Sequence, residues 1–130
     1  MKPIAVHHIA IICSDIEKSK RFYTTVLGME IIAENFRAER NSWKVDLALH
    51  GVYTIELFSF PGSPQRLSHP EANGLRHLSF SVKNLDESLV FLLENGIHPE
   101  PSRTDPYTGK RFTFFSDPDG LPIEYYEVST

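Results

Sequence analysis

The 130-residue chain has one cysteine, Cys13, and one tryptophan, Trp43. A lone cysteine excludes a disulfide within the chain. Its place at the end of an apolar run points to a packed, inert thiol rather than a nucleophile. No apolar run reaches the roughly 18–20 residues that a membrane span needs. The start, MKPIAVHHIAIIC, carries two histidines and is too short for a signal-peptide core with its usual flanks, so a cytoplasmic protein is expected. No Lys/Arg cluster or basic stripe is present and the net charge is −4, which leaves no footprint for nucleic acid.

What remains is ordinary globular material, 41% hydrophobic and 23% charged. The length suits one compact domain, or two small modules sharing a core. Ile4 to Cys13 reads as a strand, with His8, Ala10 and Ile12 on one face and His7, Ile9, Ile11 and Cys13 on the other. Ser14, with Glu17 three residues on, has the form of a capping box. A helix follows, with Ile16, Tyr23, Val26 and Leu27 on its apolar side, and Gly28 stops it. Met29–Phe36, Trp43–Leu49 and Tyr53–Phe60 read as strands. The polar stretch Arg37–Ser42 makes the first turn between them, and His50-Gly51 the second. On the last strand Tyr53, Ile55 and Leu57 share one face, with Thr54, Glu56 and Phe58 opposite.

Pro61, Gly62, Pro64 and Pro70 mark 61–73 as a linker. The order then recurs. Leu75–Val82 is a strand, with His77, Ser79 and Ser81 opposite Leu78, Phe80 and Val82. Asn84 caps a helix whose stripe is Leu85, Leu89, Leu92 and Leu93, and Gly96 ends it. Ile97–Thr104, Lys110–Ser116 and Leu121–Val128 are three more strands. Asp117-Pro118-Asp119-Gly120 is a turn.

The halves match in sequence as well as in order. HIAIICSDIEKSKRFY, from His8, lies over HLSFSVKNLDESLVFL, from His77, without a gap, and IELF at Ile55 matches IEYY at Ile123. A repeat of about 68 residues that occurs only twice fits a duplicated module better than a solenoid. The fold expected is α+β, with one domain over 1–130. Its first βαβββ module covers about 4–60 and its second about 74–128.

Within that repeat His8 and His77 stand 69 residues apart, and Glu56 and Glu124 stand 68 apart. Two imidazoles and two carboxylates at equivalent positions suit one divalent ion: Ni²⁺, Zn²⁺, Co²⁺, Mn²⁺ or Fe²⁺. Four protein ligands on a six-coordinate ion leave two positions for water or substrate. Taken singly, a His on a strand face is usually just a half-exposed side chain; the repeat is what singles these four out. It also prefers His8 to His7, because His7 matches Arg76. His50, His69 and His98 have no repeat partners, which suits turn or surface roles, though His69 in the linker has the reach to stand at a cavity mouth.

The motifs VHHIAIICSD, RFYTTVLGM, YTIELFSF, GLRHLSFSV and FFSDPDGLPIEYYE resemble the vicinal oxygen chelate superfamily, which includes glyoxalase I, fosfomycin-resistance proteins, methylmalonyl-CoA epimerase and extradiol dioxygenases. WKVDLAL and DPYTGKRFTFFSDPDGLP resemble small bacterial glyoxalase I-like proteins in particular. The resemblance implies paired βαβββ modules in a cupped eight-stranded mixed sheet around one metal. It implies His8, Glu56, His77 and Glu124 as ligands, supplied within one chain or across a homodimer. It also implies proton transfer beside a carbonyl on a thiol adduct, with Glu124 as base and Glu56 as the opposite carboxylate.

Three other readings stand beside this one. A thioester epimerase needs the same two carboxylates. An Fe²⁺ dioxygenase usually has a 2-His-1-carboxylate set, which a fourth ligand at Glu56 disfavours. A module that binds a metal or small molecule without turnover is disfavoured by retention of all four ligands. For a thiol's carboxylates the candidates are Arg37, Arg40, Lys44, Arg103, Lys110 and Arg111, each of which also reads as a solvated charge. Trp43, Phe58, Phe112, Phe114 and Tyr126 either line a cavity or form plain core.

Overall fold

Each half of the repeat builds its own sheet. A computed structural model describes residues 1–128, and two compact units are found, Met1–Gln65 and one beginning at Arg66. The last two residues of the expected domain lie outside the described residues. Among the described residues are eight strands, four in each of two mixed sheets.

In the first unit β1 (Ile9–Cys13) is followed by α1 (Ile16–Arg21), β2 (Glu30–Arg37), β3 (Ser42–Leu49) and β4 (Val52–Ser59), in the sheet order β1-β4-β3-β2. β1 runs parallel to β4 and the other neighbours are antiparallel. One face packs under α1. There Ile11, Cys13, Val45, Leu47, Ile55 and Leu57 are buried, with Phe22 and Tyr23 from the helical segment. The Cys13 thiol donates to the Phe58 carbonyl at 3.3 Å, a packed role as its apolar setting suggests.

The cap of α1 corrects the expected capping box. Asp15, not Ser14, is the N-cap, and its carboxylate accepts from Glu17 N and Lys18 N. A carboxylate there also meets the positive end of the helix. Beyond Arg21 the helix loosens into a π-helical turn over Phe22–Val26, with Leu27 N donating to Phe22 O. Thr24 Oγ1 donates to Lys20 O at 2.7 Å within this stretch, a local bond of the kind that loosens helices. Gly28, at φ +74°, closes it. His50 and Gly51 form the expected tight turn with φ of 48° and 77°, and Leu49 pairs with Val52 across it.

The second unit carries β5 (Leu78–Val82), α2 (Leu85–Glu94), β6 (Arg103–Thr104), β7 (Arg111–Ser116) and β8 (Pro122–Glu127), in the order β5-β8-β7-β6. Asn84 Oδ1 accepts from Glu87 N, the expected cap. Past Asn95, Gly96 N donates to Leu93 O and Ile97 N to Leu92 O, a Schellman end. The strand expected over 97–104 shrinks to two residues, because Pro99 and Pro101 lack the donors a ladder needs. Asp117 Oδ1 accepts from Asp119 N and Leu121 N and so organises the expected turn.

The first strand of each sheet is shorter than expected, and this moves the histidines. β1 starts at Ile9 and β5 at Leu78, so His8 and His77 each stand one residue before a strand. In β8 the cause is Pro122, which has no N–H, so the ladder to β5 opens at Ile123. In β4 an extra residue, Thr54, sits where Leu47 pairs with Ile55 but Ala48 pairs with Tyr53, and the ladder to β1 opens at Ile55.

Candidate metal-ligand pairs on the open sheet faces

Cross-strand register places each glutamate. On β4, Glu56 lies between Ala10 of β1 and Asp46 of β3. On β8, Glu124 lies between Ser79 of β5 and Phe114 of β7. Both point away from the face carrying Ile55 and Leu57, or Ile123 and Tyr125, all buried. The small neighbours Ala10 and Ser79 leave each carboxylate room.

The structure brings each histidine to the glutamate of its own unit. His8 Nε2 is 3.2 Å from Glu56 Oε2, and His77 Nε2 is 3.7 Å from Glu124 Oε1. Two donors sharing an ion at about 2.1 Å stand roughly 3–3.5 Å apart; the His8–Glu56 separation falls in that range and the His77–Glu124 separation is slightly longer. The other ring nitrogens differ. His8 Nδ1 is 2.8 Å from His7 Nδ1, whereas His77 Nδ1 is buried without a hydrogen-bond partner among the described residues. His77 is instead held by Phe114, ring edge to face, at 5.0 Å. Among the described residues no three of His, Cys, Asp and Glu form a group that could hold a metal ion.

Around Glu56 lies a network that strand alternation alone did not reveal. Tyr53 was expected on the Ile55 face, but the extra residue Thr54 turns it to the Glu56 side. Its hydroxyl is 2.7 Å from Glu56 Oε2 and 2.8 Å from Asp46 Oδ1. Lys44 Nζ donates to both Asp46 oxygens, at 2.8 and 3.1 Å, and stands 3.7 Å from Glu56 Oε2. Burial and the two carboxylates push the Tyr53 phenol far above its ordinary value, so it stays a neutral donor. Burial alone would raise Asp46, but the bonds from Lys44 and Tyr53 outweigh it and hold that carboxyl low. The bond to Asp46 raises Lys44 against its own desolvation.

Among the described residues nothing equivalent surrounds Glu124. The register positions of Lys44 and Asp46 are taken by Phe112 and Phe114. Phe112 stacks on Tyr126, whose hydroxyl donates to Asp105 Oδ2 at 2.9 Å and also bonds Thr108. The six cations named from sequence are mostly engaged. Lys44 serves Asp46. Arg111 pairs with Glu127 and Asp86. Arg37 lies over Phe58 at 4.7 Å and Arg103 over Phe112 at 5.0 Å, while Arg40 faces Phe60.

A family model for the glyoxalase/bleomycin resistance protein/dioxygenase superfamily matches residues 5–125. The chain belongs to that superfamily. It is 62% identical over 123 residues to YwkD of Bacillus subtilis, an uncharacterised protein, covering 95% of this chain and 96% of that one. The crystal structure of a glyoxalase family protein from Enterococcus faecalis superposes with a TM-score of 0.89 at 48% identity, covering 95% and 97% of the two chains. Two more distant relatives carry enzyme names. A 2-epi-5-epi-valiolone epimerase from Actinomyces is 28% identical, with coverage of 93% of this chain and 78% of its own. A lactoylglutathione lyase of Salmonella typhimurium is 29% identical, with coverage of 93% and 90%. No helix among the described residues is long and apolar enough to cross a membrane.

Proposed function

We propose that the protein is a divalent-metal-dependent isomerase or lyase of the glyoxalase I type, acting on a small thiol hemithioacetal. The observation that carries this reading is the pairing of His8 with Glu56 and of His77 with Glu124 at matching positions on open sheet faces. His8, Glu56, His77 and Glu124 would hold one ion, supplied by the two units of one chain or by two chains of a homodimer. Ni²⁺, Zn²⁺, Co²⁺, Mn²⁺ and Fe²⁺ all suit two imidazoles and two carboxylates. When bound, such an ion supplies Lewis acidity toward a substrate carbonyl.

The chain's own part is proton transfer. The substrate carbon bearing the thioether and hydroxyl loses its proton to a carboxylate, which returns a proton to the neighbouring carbonyl carbon. The hydroxyl proton passes to the other oxygen, so a 2-oxoaldehyde thiol adduct becomes a 2-hydroxyacyl thioester with no oxidant or reductant. Glu124 is the base in this reading. Its carboxylate has only His77 close by among the described residues, at 3.7 Å, whereas Glu56 is tied to Tyr53 and Lys44. A carboxylate that must accept and release a proton needs that freedom. Glu56 is then the opposite carboxylate.

The relative named as a 2-epi-5-epi-valiolone epimerase supports epimerisation as a second reading; beside a thioester carbonyl it would use the same two carboxylates. One experiment separates them. Protein loaded with each candidate metal is assayed with methylglyoxal and a panel of thiols, and separately for exchange of the α-proton of acyl thioesters with D₂O. Turnover of a hemithioacetal is expected. Full loading with no turnover on any thiol, but with α-proton exchange, establishes the epimerase instead.

A further inference from the structure

Glu56 and Glu124 occupy equivalent positions, yet their surroundings are unlike. Glu56 Oε2 meets the Tyr53 hydroxyl at 2.7 Å and the Lys44 ammonium at 3.7 Å, and Lys44 is itself clamped by both oxygens of Asp46. His8 Nε2 lies 3.2 Å from the same oxygen, so these contacts gather on Oε2. Asp46 and Glu56 face each other directly across β3 and β4, and both are buried. Two carboxylates side by side repel unless cations or donors lie between them, and Lys44 and Tyr53 fill that place. Removing either partner leaves buried charge uncompensated, so the four groups form one unit. The arrangement also depends on one backbone irregularity, because without the extra residue Thr54 the Tyr53 ring would point to the helix side.

We propose that Tyr53, Asp46 and Lys44 are positioning residues that fix Glu56 as the immobile carboxylate ligand, an inference that rests on the metal reading above. Tyr53 and Lys44 hold Oε2, the oxygen that also lies 3.2 Å from His8 Nε2, and so fix the orientation of the carboxylate beside that histidine. Asp46 acts through them: it holds the ammonium in place and takes a share of the single phenol proton. The second unit places Phe112 and Phe114 at the positions of Lys44 and Asp46 and leaves Glu124 without such a tether. The duplicated module has thus been differentiated into a rigid carboxylate and a movable one.

The test measures metal binding rather than turnover. Metal-free wild type, Tyr53→Phe, Asp46→Asn and Glu56→Gln are titrated with Co²⁺, with affinity from competition against a chromophoric chelator and ligand field from the visible absorption bands. Outer-shell partners of metal ligands typically govern about 10–100-fold in affinity. Tyr53→Phe and Asp46→Asn are expected to weaken Co²⁺ by that factor and shift its bands, with circular dichroism unchanged. Glu56→Gln should weaken it further. Tyr53→Phe removes one oxygen from a half-buried ring and keeps the shape, so it decides the matter even where Asp46→Asn fails to fold. If Tyr53→Phe matches wild type in affinity and spectrum while Glu56→Gln does not, the positioning role is wrong and the metal site stands. If wild type binds no Co²⁺, both are overturned.

Discussion

Glu56 and Leu57 are adjacent on β4 but point to opposite faces, so their substitutions should separate stability from metal binding. Leu57 is fully buried, and its register neighbours Ile11 on β1 and Val45 on β3 are buried too. Leu57→Ala therefore opens a cavity under α1 with little room for collapse, at a cost of about 2–5 kcal/mol. At a urea slope of about 2 kcal/mol per M, the midpoint falls by about 1–2.5 M. Co²⁺ affinity of the folded fraction should stay near that of wild type. Glu56→Gln keeps the side-chain volume and an oxygen for Tyr53, so it should cost about 1 kcal/mol or less while lowering metal affinity sharply. Urea unfolding followed by far-UV circular dichroism, with metal titration of the same samples, reads both quantities. A Leu57→Ala midpoint equal to wild type, or a Glu56→Gln cost as large as that of Leu57→Ala, would show that the two faces are assigned wrongly.

Two further predictions concern the frame that carries the site. Asp15→Ala removes the acceptor for Glu17 N and Lys18 N and should cost about 1 kcal/mol in urea unfolding, whereas Ser14→Ala should cost much less; equal effects would contradict the cap assignment. Glu127 accepts from Arg111 and from Leu85 N at the start of α2, and these bonds hold its carboxyl below the usual value. A depressed folded value means that the contribution is present above the unfolded value, about 4.3, and lost as pH falls through the folded one. The stability gap between wild type and Glu127→Gln should thus narrow on acidification from pH 7 to 3. A gap that is constant or widens over that range refutes the role given to Glu127.

Much of this was legible in the sequence because duplication shows the same answer twice. The repeat located both His–Glu pairs, and the tight turns at His50-Gly51 and Asp117–Gly120 fixed which strands are neighbours. The cap was legible too, since Asp15 aligns with Asn84 in the repeat, but the Ser14–Glu17 spacing pointed one residue early. The rest depended on events that leave no periodic trace. An extra residue at Thr54 reverses the face of Tyr53, and no residue type there announces it. Pro99 and Pro101 shorten β6, a signal that was present and outweighed by the expectation of symmetry. Asp46 stood on the Lys44 side of β3 in any reading, yet its meeting with Glu56 required the β3–β4 register, which only the three-dimensional pairing supplies.

The central claim is that His8, Glu56, His77 and Glu124 hold a single divalent ion. Its most direct measurement is metal stoichiometry and affinity for metal-free wild type, His8→Ala, Glu56→Gln, His77→Ala, Glu124→Gln and His7→Ala, titrated in parallel with Ni²⁺, Zn²⁺ and Co²⁺. The account predicts one ion per chain, lost or strongly weakened by any of the four ligand changes and retained by His7→Ala. A site that survives both His77→Ala and Glu124→Gln, or one that disappears with His7→Ala while His8→Ala keeps it, would contradict the account.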